Sequence, residues 1–199
     1  MKTLFFLAAA VLGLGPASAS ADDCPTKETA GKGFIVERGE RSKTEVFHSG
    51  DSEVRTVSKY NGSTYLEVTL YQGLFELDRV DRGKRTVYRP KSDLAKTFPP
   101  SPGKKITALF EETEGARKGD LRTFVLEVSK KPDTLSLGGC KYKVLRIDRS
   151  VLNDKSRPTF VETDYYAPDL KLIIGKEYRE SDGRTDLNKY DKIYLLPPR

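Results

Sequence analysis

Val54-Arg55-Thr56-Val57-Ser58-Lys59-Tyr60-Asn61-Gly62-Ser63-Thr64-Tyr65-Leu66-Glu67-Val68-Thr69-Leu70-Tyr71 is the stretch that decides the fold. Val54, Thr56 and Ser58 recur at every second position and run into Tyr60. Beyond Asn61-Gly62, Leu66, Val68 and Leu70 take one face, while Tyr65, Glu67, Thr69 and Tyr71 take the other. A period of two marks a half-buried strand. Asn-Gly between two such runs is a strong hairpin signal, because the tight turn needs positive φ at both central residues. The same Asn61-Gly62-Ser63 fits a glycosylation sequon, but the turn is the simpler reading.

The pattern continues in both directions. Phe34-Ile35-Val36 precedes it. Phe75 and Leu77 follow, then the turn Asp81-Arg82-Gly83-Lys84 and Thr86-Val87-Tyr88. Phe98-Pro99-Pro100-Ser101-Pro102-Gly103 suits neither a strand interior nor a helix and reads as a stiff loop. Ile106, Ala108 and Phe110 alternate after it, the polar stretch from Glu111 to Asp120 turns, and Leu121 to Val128 returns. Cys140, Tyr142 and Val144 alternate with Lys141, Lys143 and Leu145. Asn153-Asp154-Lys155-Ser156-Arg157-Pro158 turns into a strand from Phe160 to Tyr166. Leu170, Leu172 and Ile174 share a face. Ser181-Asp182-Gly183 turns, and Thr185 to Leu196 closes the chain.

This predicts about nine or ten strands at roughly 8–15-residue spacing, an all-β fold or nearly so. The one good helical stretch is Ser92-Asp93-Leu94-Ala95-Lys96-Thr97, with Ser92 as the expected N-cap. No fixed repeat or linker divides the chain. The expectation is one antiparallel β domain over residues 22–199, with at most one or two short helices.

Residues 1–21 read as a leader. Lys2 is followed by the apolar run from Leu4 to Leu12, then Pro16, then the small-residue site Ala19-Ser20-Ala21. That run is too short to span about 30 Å of hydrocarbon comfortably. No later stretch reaches the roughly 18 apolar residues of a membrane helix. The mature protein is therefore expected to be soluble, and periplasmic or secreted. The formal charge of +6 is spread through mixed-sign stretches such as Glu37-Arg38-Gly39-Glu40-Arg41, which does not suit a nucleic-acid partner.

Cys24 and Cys140 are an even pair in an exported chain, so a disulfide is expected between them. Closing a loop of 116 residues is worth up to about 4–5 kcal/mol in the chain-entropy model.

Chemistry is sparse. One His, two Cys and one Met leave no site built on several imidazoles or thiolates, and no metal or cofactor is assigned. His48 is the one imidazole. It adjoins Ser49, but successive strand residues point to opposite faces, so the two cannot work as base and nucleophile. His48 is read as an exposed strand end. Glu111, Glu112 and Glu114 read as a solvated hairpin. Asp182-Gly183-Arg184-Thr185-Asp186 lacks the alternating ligands of a calcium loop. Asp164 and Asp169 flank Tyr165-Tyr166 and could hold a sugar. No phosphate loop or nucleophile elbow occurs, so no catalytic residue is assigned. Ten Tyr and nine Phe without Trp are many for 199 residues. Tyr65, Tyr71, Tyr165 and Tyr166 are the candidate ligand or partner surface, because Tyr offers an apolar ring and a polar tip.

Pro100-Ser101-Pro102-Gly103, Gly139-Cys140-Lys141-Tyr142-Lys143-Val144 and Tyr165-Tyr166-Ala167-Pro168-Asp169-Leu170-Lys171-Leu172-Ile173-Ile174 with Lys176-Glu177-Tyr178 occur in that order. Over roughly residues 98–180 the chain resembles secreted bacterial proteins similar to the lipoprotein-carrier (LolA/LolB-like) open β-barrels. Lys171 stands where a small turn residue is common. The resemblance implies a curved antiparallel sheet forming an open barrel, with short helices over its mouth, and hints at an apolar ligand. It carries over no active site.

The sequence thus points to a non-catalytic exported protein that binds an apolar or amphiphilic ligand, or an envelope partner, on a curved sheet. The partner would be a lipid, a glycan or an envelope protein. Two other readings stay open: a structural or assembly factor without a ligand cavity, and an envelope enzyme acting on polysaccharide.

Overall fold

The computed structural model describes residues 24–115, 119–152, 158–179 and 184–197; for 158–161 and 179 it describes the backbone alone. The leader and the turns at 153–157 and 181–183 lie outside the described residues.

Among the described residues, fourteen antiparallel strands form one sheet. They are β1 (Phe34–Arg38), β2 (Ser42–Ser49), β3 (Glu53–Tyr60), β4 (Ser63–Tyr71), β5 (Phe75–Asp81), β6 (Lys84–Pro90), β7 (Lys105–Glu114), β8 (Asp120–Val128), β9 (Asp133–Leu137), β10 (Cys140–Leu152), β11 (Pro158–Ala167), β12 (Leu172–Arg179), β13 (Thr185–Lys189) and β14 (Lys192–Leu195). Helical structure among the described residues is limited to two short 3-10 turns, Ala30–Lys32 and Leu94–Thr97. The second is capped by Asp93, whose side chain accepts from the Ala95 N–H, and not by Ser92, whose hydroxyl instead accepts from the Leu109 N–H.

The expected hairpin forms. Asn61 and Gly62 sit at φ 49° and 81°, and Tyr60 pairs with Ser63. Arg82 and Gly83 repeat the device between β5 and β6 at φ 47° and 83°. Strand order runs β13-β12-β11-β10-β8-β7-β6-β5-β4-β3-β2-β1-β14, with β9 beside β10. One edge of β10 serves two partners in succession, β9 along Cys140–Val144 and β8 along Ile147–Leu152.

The open barrel expected from the sequence does not form. Among the described residues the ladder path has two ends, β13 and β14, and no pairing joins them. The reason lies in the closing segment, which the sequence reads as one strand from Thr185 to Leu196. It breaks at Tyr190 and Asp191. The Tyr190 N–H donates to Ile174 O, and the Asp191 N–H donates to Glu37 O, so the chain leaves β12 and joins β1 within two residues. The resemblance to lipoprotein carriers, which implied that barrel, falls with it.

Two hydrophobic clusters form the core. One joins Phe34, Val36, Val46 and Val54 of β1–β3 to Val144, Tyr165 and Ile174 of β10–β12. The other centres on Phe75, Phe110, Leu126 and Ile147. Its aromatic rings contact edge-on or tilted, Phe75 with Phe110 at 5.4 Å and Phe110 with Phe124 at 5.2 Å. Phe98, from the proline-rich loop, packs on Tyr71 at 5.1 Å.

Turns from distant parts of the chain meet at one end. Gly73 lies at φ 69°, and a Cβ there would sit 1.7 Å from the carbonyl oxygen of Lys171, so only glycine fits. Lys171 itself is at φ 46°, the left-handed turn geometry that a small residue would occupy more easily. Its ammonium donates to Asp51 O at 2.6 Å, and the Tyr166 hydroxyl donates to Gln72 O at 2.8 Å. The disulfide Cys24–Cys140 ties the leading segment to the start of β10, with Cα atoms 5.7 Å apart.

Candidate functional site

A cavity of about 570 Å³ lies between β2–β8 and β10–β12. Its apolar wall is built by alternation. Leu66, Val68 and Leu70, which share one face of β4 as the sequence predicted, line it, and Leu74, Phe124, Val151, Leu172 and Ile173 add to it. Thr44 and Ser58 share a buried hydroxyl–hydroxyl hydrogen bond of 2.9 Å at its lining.

The charged part of the lining is Glu76, Arg79, Glu112, Arg122, Arg149, Glu162 and Lys176, with Asp164 packed behind it. Arg149, Glu162, Asp164 and Lys176 lie on adjacent strands. Arg149 faces Glu162 in the β10–β11 register, and Asp164 faces Lys176 in the β11–β12 register. Arg149 Nε donates to Asp164 Oδ2 at 2.6 Å and lies 3.6 Å from Glu162 Oε1, while its Nη2 donates to Leu74 O at 2.9 Å. Lys176 Nζ pairs with Glu162 and lies 3.3 Å from Asp164 Oδ1. The Glu162 and Asp164 side chains are 2% and 0% exposed, and Lys176 is 36% exposed toward the cavity.

The two carboxyls behave differently. Burial, reinforced by the neighbouring Asp164 charge, raises the Glu162 pKa above the usual carboxylate value, and Lys176 and Arg149 only partly offset this. Burial also acts to raise Asp164, but Arg149 and Lys176 outweigh it and hold Asp164 below its ordinary value. One raised and one lowered carboxyl is the pattern of an acid–base pair. Here both carboxyls are bridged by the same two cations and shut away from solvent, so the arrangement is that of a buried ionic wall.

A second charged row lies on β5–β8. Arg79 is held by Glu76 at 3.3 Å and Asp81 at 2.9 Å. Arg122 is held by Glu112 at 2.8 Å and Asp120 at 4.0 Å. Tyr88 lies between the two groups, and its pKa is pushed up to about 12 by burial and by the Glu76 and Glu112 charges. Tyr178, 37% exposed, and Tyr190 also line the cavity, and the Arg38 guanidinium stacks 5.7 Å over the Tyr190 ring.

The four tyrosines singled out in the sequence are not part of this lining. Tyr165 and Tyr166 point to opposite sides and are buried in the two separate cores. The Tyr165 hydroxyl donates to Glu177 at 2.8 Å. Tyr71 packs against the second cluster, and Tyr65 is half-buried on β4. Sequence reasoning missed Arg149, Glu162 and Lys176. It noted Asp164 for its neighbours, and it read Glu112 as solvated, although Glu112 lines the cavity. The available signal was that Arg149, Glu162 and Asp164 keep the same alternation as their apolar neighbours.

His48 is not the exposed strand end the sequence suggested. Its Nε2 lies 3.1 Å from the Leu170 carbonyl, which can only accept, and its ring meets Phe34 edge-on at 6.1 Å. Burial lowers its pKa, the carbonyl contact opposes this, and Lys171 adds to the lowering. Among the described residues no group of His, Cys, Asp or Glu could hold a metal ion, and no helix is long and apolar enough to cross a membrane.

No protein-family model matches the chain, and no curated protein matches it. Among solved structures it is similar to the hypothetical lipoprotein YmcC from Escherichia coli K12, with 10% identity, a TM-score of 0.49, and coverage of 84% of this chain and 87% of that one. Likeness at that level defines neither a family nor an activity.

Proposed function

We propose that this chain is an exported, non-catalytic binding protein whose cavity takes an amphiphilic ligand. The observation that carries this reading is a cavity lining that combines apolar residues, Leu66, Val68, Leu70 and Phe124, with charged ones, Arg79, Arg122, Arg149 and Lys176. A purely apolar ligand would strip water from the charged groups without replacing its hydrogen bonds, which is costly. A purely polar ligand would leave the leucines unused. The volume of about 570 Å³ falls in the range of roughly 300–1,000 Å³ typical of small-molecule sites. The leader-like residues 1–21 and the disulfide between Cys24 and Cys140 support a working place in an oxidising compartment outside the cytoplasm. Residues 22–199 act as one domain in this reading, since the disulfide and both core clusters join strands far apart in the chain.

Native mass spectrometry tests the proposal on protein exported with its leader and purified without detergent. The expected result is a population carrying one added mass that organic extraction removes. Repeated preparations containing only bare polypeptide, with no uptake of added amphiphile, would overturn it.

A further inference from the structure

The protein as a whole is basic, with a formal charge of +6, but the cations lining its cavity are all paired. Each of the four cations lining the cavity is already held by two carboxylates. Arg79 has Glu76 and Asp81; Arg122 has Glu112 and Asp120; Arg149 and Lys176 share Glu162 and Asp164. Six carboxylates therefore stand against four cations, and three of them, Glu76, Glu112 and Glu162, lie in the lining itself. An incoming anion would have to displace a carboxylate from a cation and leave that carboxylate unpaired in a partly dry site, which is costly.

Hydrogen-bond capacity leans the same way. Glu162 Oε2 is buried with no hydrogen-bond donor, and Asp164 Oδ1 has only the Lys176 ammonium, 3.3 Å away. Glu162 is more than nine-tenths buried and lines the cavity. Buried acceptors without donors are uncommon in folded proteins, and each is costly to leave unmet. Glu162 thus presents a buried acceptor that a donor on the ligand can meet. At the wall's more open end Glu76 and Glu112 add accessible acceptor oxygens beside Tyr88.

Building on the amphiphile reading, we infer that the polar end of the ligand carries hydrogen-bond donors and no negative charge, a hydroxyl or an ammonium, and that the cavity discriminates against anionic amphiphiles. A hydroxyl can donate to the carboxylates and accept from Lys176 in one contact. An ammonium adds attraction to the surplus carboxylates.

Three probes with the same twelve-carbon chain separate the outcomes: monolauroylglycerol, dodecylammonium and laurate. Each is titrated calorimetrically into the disulfide-bonded protein below its micelle concentration at about pH 7.5, where laurate is an anion. The hydroxyl or the ammonium probe should bind at least about tenfold more tightly than laurate, the size of one well-made charged hydrogen bond. Which of those two leads identifies the head group. Laurate binding as tightly as the better of them would overturn the inference and leave the amphiphile reading standing. Failure of all three to bind would overturn both. Glu112→Gln, at a partly exposed position, frees Arg122 of one carboxylate and should shift the preference toward laurate. An unchanged preference in the folded variant would count against the wall as its source.

Discussion

The aromatic cluster around Phe110 and the ionic wall around Arg149 lie on the same sheet and follow the same alternation, but they are held by different physics. Phe75, Phe98, Phe110 and Phe124 meet through non-directional apolar contact and ring-edge geometry. Arg149, Glu162, Asp164 and Lys176 are held by directional charge-assisted hydrogen bonds in a place where losing one partner leaves another stranded. The first region makes the fold. The second constrains what can enter it. The difference also shows why a strand's period reveals which residues share a face but not which chemistry that face buries.

The largest effects should come from breaking either region, and their repair should tell them apart. Phe110→Ala, read by urea denaturation, should cost about 3–5 kcal/mol, because it opens a cavity in a ring cluster that cannot collapse. Arg149→Met should cost about the same, since it leaves buried Asp164 with only Lys176 for charge. Adding Asp164→Leu to Arg149→Met should recover most of that loss, because replacing a buried ion pair with apolar groups is often neutral. Failure to recover would mean that the wall is a stability element like the cluster.

Cutting the disulfide should have a slightly smaller effect. Paired Cys24→Ser and Cys140→Ser should lower stability by about 2–5 kcal/mol. Because the bridge anchors the leading segment to the start of β10, the loss should appear in hydrogen exchange first in β1 and β9 and last around Phe110.

The smallest predicted effect is the pH dependence from His48. Its folded pKa lies below its unfolded value near 6.5, so the unfolded chain binds the extra proton first as pH falls. Its contribution is fully present above about pH 6.5 and is lost as pH falls through the window between the unfolded and folded values. His48→Gln should flatten the fall in melting temperature between about pH 7 and pH 5.5 relative to the parent. An unchanged slope would remove His48 from the account. Asp164 acts further down the scale: its folded pKa is depressed, so its contribution is lost only as pH falls through that lower value.

Much of this fold was legible in particular residues. Asn61-Gly62 and Arg82-Gly83 mark hairpins because their backbone needs are local. The pair Cys24 and Cys140 could bond only with each other. Leu66, Val68 and Leu70 turn inward as their period requires. What was not legible depends on distant partners. Tyr190 and Asp191 look like the middle of a strand until Ile174 and Glu37 are there to receive their N–H groups. Tyr165 and Tyr166 look like a surface until two cores take one each. Arg149, Glu162 and Lys176 look solvated because charge usually is, and only cross-strand register shows that they neutralise one another indoors.

The chain contains no tryptophan, so a single introduced one reports without background. Tyr178, a lining residue with 37% exposure, is the place for it. The Tyr178→Trp protein should show a saturable blue shift when titrated with monolauroylglycerol or dodecylammonium, and quenching when the alkyl chain is brominated. A tryptophan whose emission stays constant while calorimetry registers binding would put the ligand elsewhere on the molecule and contradict the cavity as its site.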